Sequence, residues 1–135
     1  MEESTIQKQQ KYLLLIAAIG LFPVALSYGL VPEMSLGYLY NISVTEVNHM
    51  HIFRAVMGLY FAMIIFWLIG VFKIHLRQTA VYSLIVFMFG LAAGRVVSLI
   101  LDGVPNWLLI VFLVLEVLFG FLGMMLLKKG TIRLP

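Results

Sequence analysis

The chain has 135 residues, no cysteine and little charge, with 11% of its residues Asp, Glu, Lys or Arg. Without cysteine there is no disulfide scaffold, thiolate metal site or thiol nucleophile. Intrinsic disorder needs low hydrophobicity and high charge, and is excluded. A soluble domain is excluded too, since globular domains are typically about 25% charged and about 45–50% apolar. Phosphate loops, nucleophile elbows and zinc-binding helix motifs are also missing. What is present is 63% hydrophobic residues and a mean hydropathy of +1.08. The isoelectric point near 9.3 does not point to nucleic acid, because a few cations flanking membrane spans give the same value. The composition is that of a small integral membrane protein.

Four apolar stretches run from Tyr12 to Val31, Ile52 to Phe72, Thr79 to Leu101 and Pro105 to Leu127. Each is near the roughly 20 residues a helix needs to cross about 30 Å of hydrocarbon, and barrel strands would be shorter and alternating. The fold class expected is all-α: one transmembrane domain over 1–135, a four-helix bundle with both termini inside. Ser43-Val44-Thr45-Glu46 has the form of a capping box, which extends the second helix back to Val44. The expected helices are therefore 12–31, 44–72, 79–101 and 105–127. Glu33 to Tyr40 reads as a short interfacial segment, with Tyr38 and Tyr40 in the aromatic belt. Pro23 should kink the first helix. Lys8 and Lys11 followed by Leu13 to Phe22, Pro23 and Ala25-Leu26-Ser27 also have the outline of a cleavable signal peptide; a retained span is the reading preferred here.

Charge sets the expected orientation. Lys8, Lys11, Lys73, Arg77, Lys128, Lys129 and Arg133, seven of nine cations, lie before the first span, between the second and third, or after the fourth. The other two connections hold Glu33, Glu46 and Asp102 and no cation. The positive-inside rule then puts both termini and the Lys73–Gln78 loop in the cytoplasm.

Ionisable residues at membrane depth are costly and usually face the bundle interior or a cavity. On the third helix Arg95, Ser98 and Asp102 share a face, flanked by Gly90 and Gly94 at the small-xxx-small spacing that lets helices approach. On the fourth, Glu116 shares a stripe with Gly120 and Gly123. On the second, His51, Arg54 and Gly58 fall together. The charges all lie in the outer half and sum to zero, so one polar pocket of Arg54, Arg95, Asp102 and Glu116 is expected, with Arg95 as the first partner of Glu116 and Arg54 the second. His49 and His51 do not share a helix face, so no metal is expected.

Arg54-Ala55-Val56-Met57-Gly58-Leu59-Tyr60, Gly94-Arg95-Val96-Val97-Ser98, Asp102-Gly103-Val104-Pro105 and Glu116 together resemble an uncharacterised bacterial family of small four-helix membrane proteins, domain of unknown function 4345. The chain is more loosely similar to the DoxX-like group. The resemblance covers the first helix to the fourth and implies a four-helix membrane fold with a polar site; it names no reaction. Some DoxX-like proteins are implicated in quinone-linked sulfur or thiol redox, and a thiol relay would need the cysteine this chain lacks.

The leading expectation is a binding protein for an amphipathic small molecule, a lipid or quinone, with its head at the charge cluster. Whether it is also an enzyme stays open, with Glu116 the candidate acid or base. The competing expectation is a non-catalytic accessory or assembly subunit, meeting a membrane-protein partner or a second copy, whose charges only fix helix register. No resident cofactor is expected beyond a bound lipid or quinone, and membrane lipids are the expected surroundings. Proton movement ranks last, because the inner half of the spans offers no ionisable path.

Overall fold

The structure is a computed structural model and describes residues 3–131, so Arg133 lies outside the described residues. Five helices follow one another: α1 (Thr5–Gly29), α2 (Pro32–Tyr40), α3 (Val47–Phe72), α4 (Ile74–Leu101) and α5 (Trp107–Thr131). There is no strand among the described residues. α1, α3, α4 and α5 are each long and apolar enough to cross a membrane, and α2 is the short segment expected between the first two spans. The molecule is an all-α membrane bundle.

α1 is the most buried span and packs against α3, α4 and α5 in turn, while α3 and α5 stand apart. Its inward side carries small residues, Ala17, Ala18 and Ala25, alongside Leu14 and Leu21. Small side chains let neighbouring backbones approach, which is how helices associate where lipid removes the hydrophobic incentive. Against this side lie Trp67 and Ile64 of α3 and Ala80, Val81 and Leu84 of α4. Trp67 is fully buried and its indole N–H donates to Ser83 Oγ at 3.1 Å. A second cluster, Leu36, Tyr40 and Val44, seats α2 on the starts of α3 and α5.

Three element boundaries differ from the sequence reading, each for a local reason. α1 starts at Thr5, not Tyr12, because Ser4 and Gln7 form a reciprocal capping box there. α3 starts at Val47, not Val44, and Ser43 and Glu46 make no capping box. Val44 is instead buried against α2, which holds residues 41–45 out of the helix. The expected Lys73–Gln78 loop shrinks to the single extended residue Lys73, with α4 starting at Ile74. The helix of α1 runs on through Pro23. Tyr38 is exposed, as an aromatic belt requires, but Tyr40 is buried. The Ser27 hydroxyl gives its proton to the Val24 carbonyl (2.6 Å), so Tyr40 donates to Ser27 Oγ at 2.8 Å. Burial holds the Tyr40 hydroxyl above its ordinary pKa.

The tight α3–α4 hairpin explains the burial of Arg77, which the sequence placed in a cytoplasmic loop. The last carbonyls of a helix have no partner within it. Arg77 supplies one from the next helix: Nε donates to the Gly70 carbonyl (3.0 Å) and Nη2 to that of Val71 (2.8 Å). Nη1 ties in the N-terminus, through Glu3 (2.9 Å) and the Gln7 carbonyl (3.3 Å). The bond from Arg77 holds the Glu3 carboxyl below its usual pKa. A depressed carboxylate contributes stability above its unfolded pKa and loses it as pH falls through the folded value. The melting temperature of Glu3→Gln should therefore fall below that of the parent at pH 7, and the two should converge below about pH 4. A gap that persists at low pH would contradict this link.

Glycines mark where helices touch and where they do not. A Cβ on Gly70 would collide with Ala80 Cβ and stand 3.1 Å from Leu14 Cδ1. On Gly29 it would lie 2.6 Å from Met57 Cβ. A Cβ on Gly120 would lie 2.8 Å from the Phe89 ring, and one on Gly123 2.7 Å from Ile85 Cγ1. A Cβ on Gly58, Gly90 or Gly94, also expected at a helix contact, would meet nothing within 4 Å beyond its own helix. The α3–α4 hairpin is thus closed near Gly70 and Ala80 and open at its far end. Gly70→Ala should cost about 1–3 kcal/mol by overpacking, whereas Gly94→Ala should be neutral or slightly stabilising. Unfolding in mixed micelles compares the two, and equal effects would sink the distinction.

Candidate functional site

In a helix each Cα–Cβ bond leans toward the N-terminus. α4 runs toward the Asp102 end of the bundle and α5 runs away from it. Arg95, about 9 Å before the end of α4, therefore points deeper, and Glu116, about 14 Å into α5, points back toward it. The two converge: Arg95 Nε lies 3.0 Å from both Oε1 and Oε2 of Glu116. Glu116 is buried and the guanidinium is one-fifth exposed. Arg95 Cζ also sits 5.8 Å from the centroid of the Phe112 ring, a cation–π distance.

The same rule explains which expected partners do not join. Arg54 lies on α3, whose N-terminus is at the Asp102 end, so its side chain leans away from mid-bundle. It donates from Nε to the Gly29 carbonyl at 3.3 Å, capping the end of α1, and makes no ion pair among the described residues. Asp102 lies at the exposed end of α4, away from which Arg95 leans. It accepts from Ser98 Oγ at 2.6 Å and meets no arginine among the described residues. The expected four-ion pocket is therefore one ion pair with two separate neighbours. His51 is exposed and has no hydrogen-bond or ionic partner among the described residues. No group of His, Asp and Glu among the described residues could hold a metal.

Beside the pair lies a cavity of about 140 Å³ between α1, α3, α4 and α5. Its walls are apolar, including Leu21, Val24, Met88, Leu91 and Phe119, and Arg95 and Glu116 are its charged members. Tyr60 adds a hydroxyl that has no hydrogen-bond partner among the described residues and is not sealed off. The Arg95 terminal nitrogens have Tyr28 beside them but no carboxylate or carbonyl acceptor among the described residues. Arg95 and Ser98 also border the open groove between α3 and α4, with Gly90 and Gly94.

Aromatic rings frame the site; the sequence reading put Tyr40 in the aromatic belt and named Tyr60 within the family motif, but assigned none of the rings to the site. Tyr28 stacks on Tyr40 (5.6 Å) and Phe53 (6.2 Å) and meets Tyr60 edge-on (5.5 Å). Tyr40 meets Phe112 at 6.1 Å. These rings lie on four different helices, so no spacing along the chain announces them. The retrievable signal was Tyr60, two residues after Gly58 on a helix otherwise rich in aliphatic residues.

A family model described as Domain of unknown function (DUF4345) matches residues 9–127. The chain belongs to this family. No curated protein and no solved structure matches the chain. The matched stretch holds the whole site, from Gly20 and Tyr28 of α1 to Glu116 of α5, so the ion pair and its cavity lie within the DUF4345 domain.

Proposed function

We propose that this DUF4345 membrane protein binds an amphipathic small molecule, a lipid or quinone, with its head group on Arg95 and Glu116. One observation carries the reading: Arg95 spends only its Nε–H on Glu116, and its terminal nitrogens, with Tyr28 beside them, have no carboxylate or carbonyl acceptor among the described residues where Arg95 lines an apolar cavity. At membrane depth an unused donor is expensive, and a bound acceptor relieves it. A purely structural pair would engage more of the guanidinium fork. Delipidated protein should melt higher when a total membrane lipid extract is returned, by an amount that grows with ligand, about 2.7 kcal/mol at 100 times Kd. The Arg95→Met/Glu116→Leu double variant should stay folded and lose that increment. An equal increment in both would contradict the reading.

The accessory-subunit reading has one observation in its favour, the open space beside Gly58, Gly90 and Gly94, where a partner helix would fit. It requires no difference between parent and double variant in the lipid experiment.

The orientation belongs to the same proposal: the Lys73 end, with Lys8, Lys11, Lys128 and Lys129, faces the cytoplasm of a bacterial inner membrane, and the wider kinship is with DoxX-like proteins. The chain has no native cysteine, so single-cysteine labelling has no background. Lys8→Cys should be protected from an impermeant maleimide in intact cells, and Val104→Cys, at an exposed site, labelled. External labelling at position 8 would reverse the topology.

A further inference from the structure

We infer that the ligand of this site carries a neutral, acceptor-bearing head on one long hydrocarbon chain, and that the chain leaves the bundle sideways between α1 and α5, past Gly20. The inference rests on the binding reading above and narrows it. Size comes first. A cavity of about 140 Å³ is close to the roughly 150 Å³ that holds a single benzene. It takes one ring or a head of similar bulk, so the rest of an amphipathic molecule must lie outside.

The way out is visible in the wall. Ile16 and Gly20 of α1 and Leu115 of α5 line the cavity and are all exposed on the outside of the bundle. Gly20 is the gap among them, since a Cβ there would meet nothing within 4 Å. It lies about 14 Å from the Gly29 end of α1, and Glu116 lies about 14 Å from the Trp107 end of α5. The doorway and the carboxylate are therefore at one depth, within the hydrocarbon, and the chain passes straight into lipid.

Charge selects the head. Arg95 and Glu116 already sum to zero, so an anionic head would leave a net charge at membrane depth. A neutral head with carbonyl or ether oxygens accepts from the Arg95 terminal nitrogens and from the Tyr60 hydroxyl without adding one. Apart from Glu116, the polar side chains lining the cavity are those of Arg95, a donor, and Tyr60, whose hydroxyl can donate.

Three probes with the same acyl chain separate the possibilities: monooleoylglycerol, oleate at pH 9 and dioleoylphosphatidylglycerol, each offered to delipidated protein and counted by native mass spectrometry. Monooleoylglycerol should be retained, and oleate held roughly 100-fold more weakly. Gly20→Phe, which plugs the doorway, should lower monooleoylglycerol retention about tenfold or more. Gly20→Ala controls for folding and should retain it. Gly94→Phe, in the groove between α3 and α4, should leave it unchanged. Undiminished retention by a folded Gly20→Phe, or loss with Gly94→Phe instead, overturns the route while the site stands. Preference for oleate or the diacyl lipid overturns the head and chain class. Equal retention of all probes by the Arg95→Met/Glu116→Leu variant removes the binding site itself.

Discussion

Glu116→Leu is expected to destabilise the bundle more than Arg95→Met, although both break the same ion pair. Removing the carboxylate leaves Arg95 charged in the membrane, since a guanidinium does not deprotonate in proteins. An orphaned buried charge costs about 3–5 kcal/mol. Removing the guanidinium leaves Glu116, which escapes by taking up a proton, and the residual cost is that of a neutral polar group, about 1–3 kcal/mol. The double variant should return to within about 1 kcal/mol of the parent, because a well-packed apolar pair replaces a buried ion pair at little cost. Unfolding in mixed micelles for all four proteins completes the cycle. Equal losses for the two single variants would show that Arg95 finds another counter-charge.

The second large effect is expected far from the site, at Arg77. Methionine there fills much of the same volume but leaves the Gly70 and Val71 carbonyls at the end of α3 without their donors. Each buried unsatisfied group costs about 1–3 kcal/mol, giving about 2–5 kcal/mol in all. The N-terminal turn of α1 should loosen as well, because Glu3 and Gln7 lose their anchor. Arg77→Lys keeps the charge but not the fork that reaches four acceptors at once, and should fall between. Melting of the three proteins tests the ranking, and amide hydrogen exchange at residues 4–8 tests the loosening. A Lys variant as stable as the parent would mean that charge, not the fork, holds this end.

What the sequence could reveal follows from which signals are local. Span number and position are written in continuous apolar runs, and the Glu116 stripe with Gly120 and Gly123 is a matter of helical spacing. Face alone, however, does not say whether a side chain leans up or down the bundle. Arg54 and Arg95 were both expected in the outer half, yet their helices run in opposite directions, so they part company. The direction of Cα–Cβ, applied helix by helix, would have separated them. Gly90 and Gly94 have the spacing of a helix contact, but the hairpin closes at Gly70 and Ala80, and only the three-dimensional splay shows it. Arg77 looked like a positive-inside marker because its cap partners lie across a one-residue turn that the sequence presents as a loop.

Everything proposed for this domain turns on whether the Arg95–Glu116 cavity is occupied. The most direct measurement is to extract the protein from its native membrane, purify it without added lipid and release what it holds for mass spectrometry, beside the Arg95→Met/Glu116→Leu variant treated identically. The prediction is about one equivalent of a small, neutral, single-chain amphipathic molecule on the parent and none on the folded variant. The same molecules in the same amounts on both would contradict it and leave the ion pair a structural feature of the bundle.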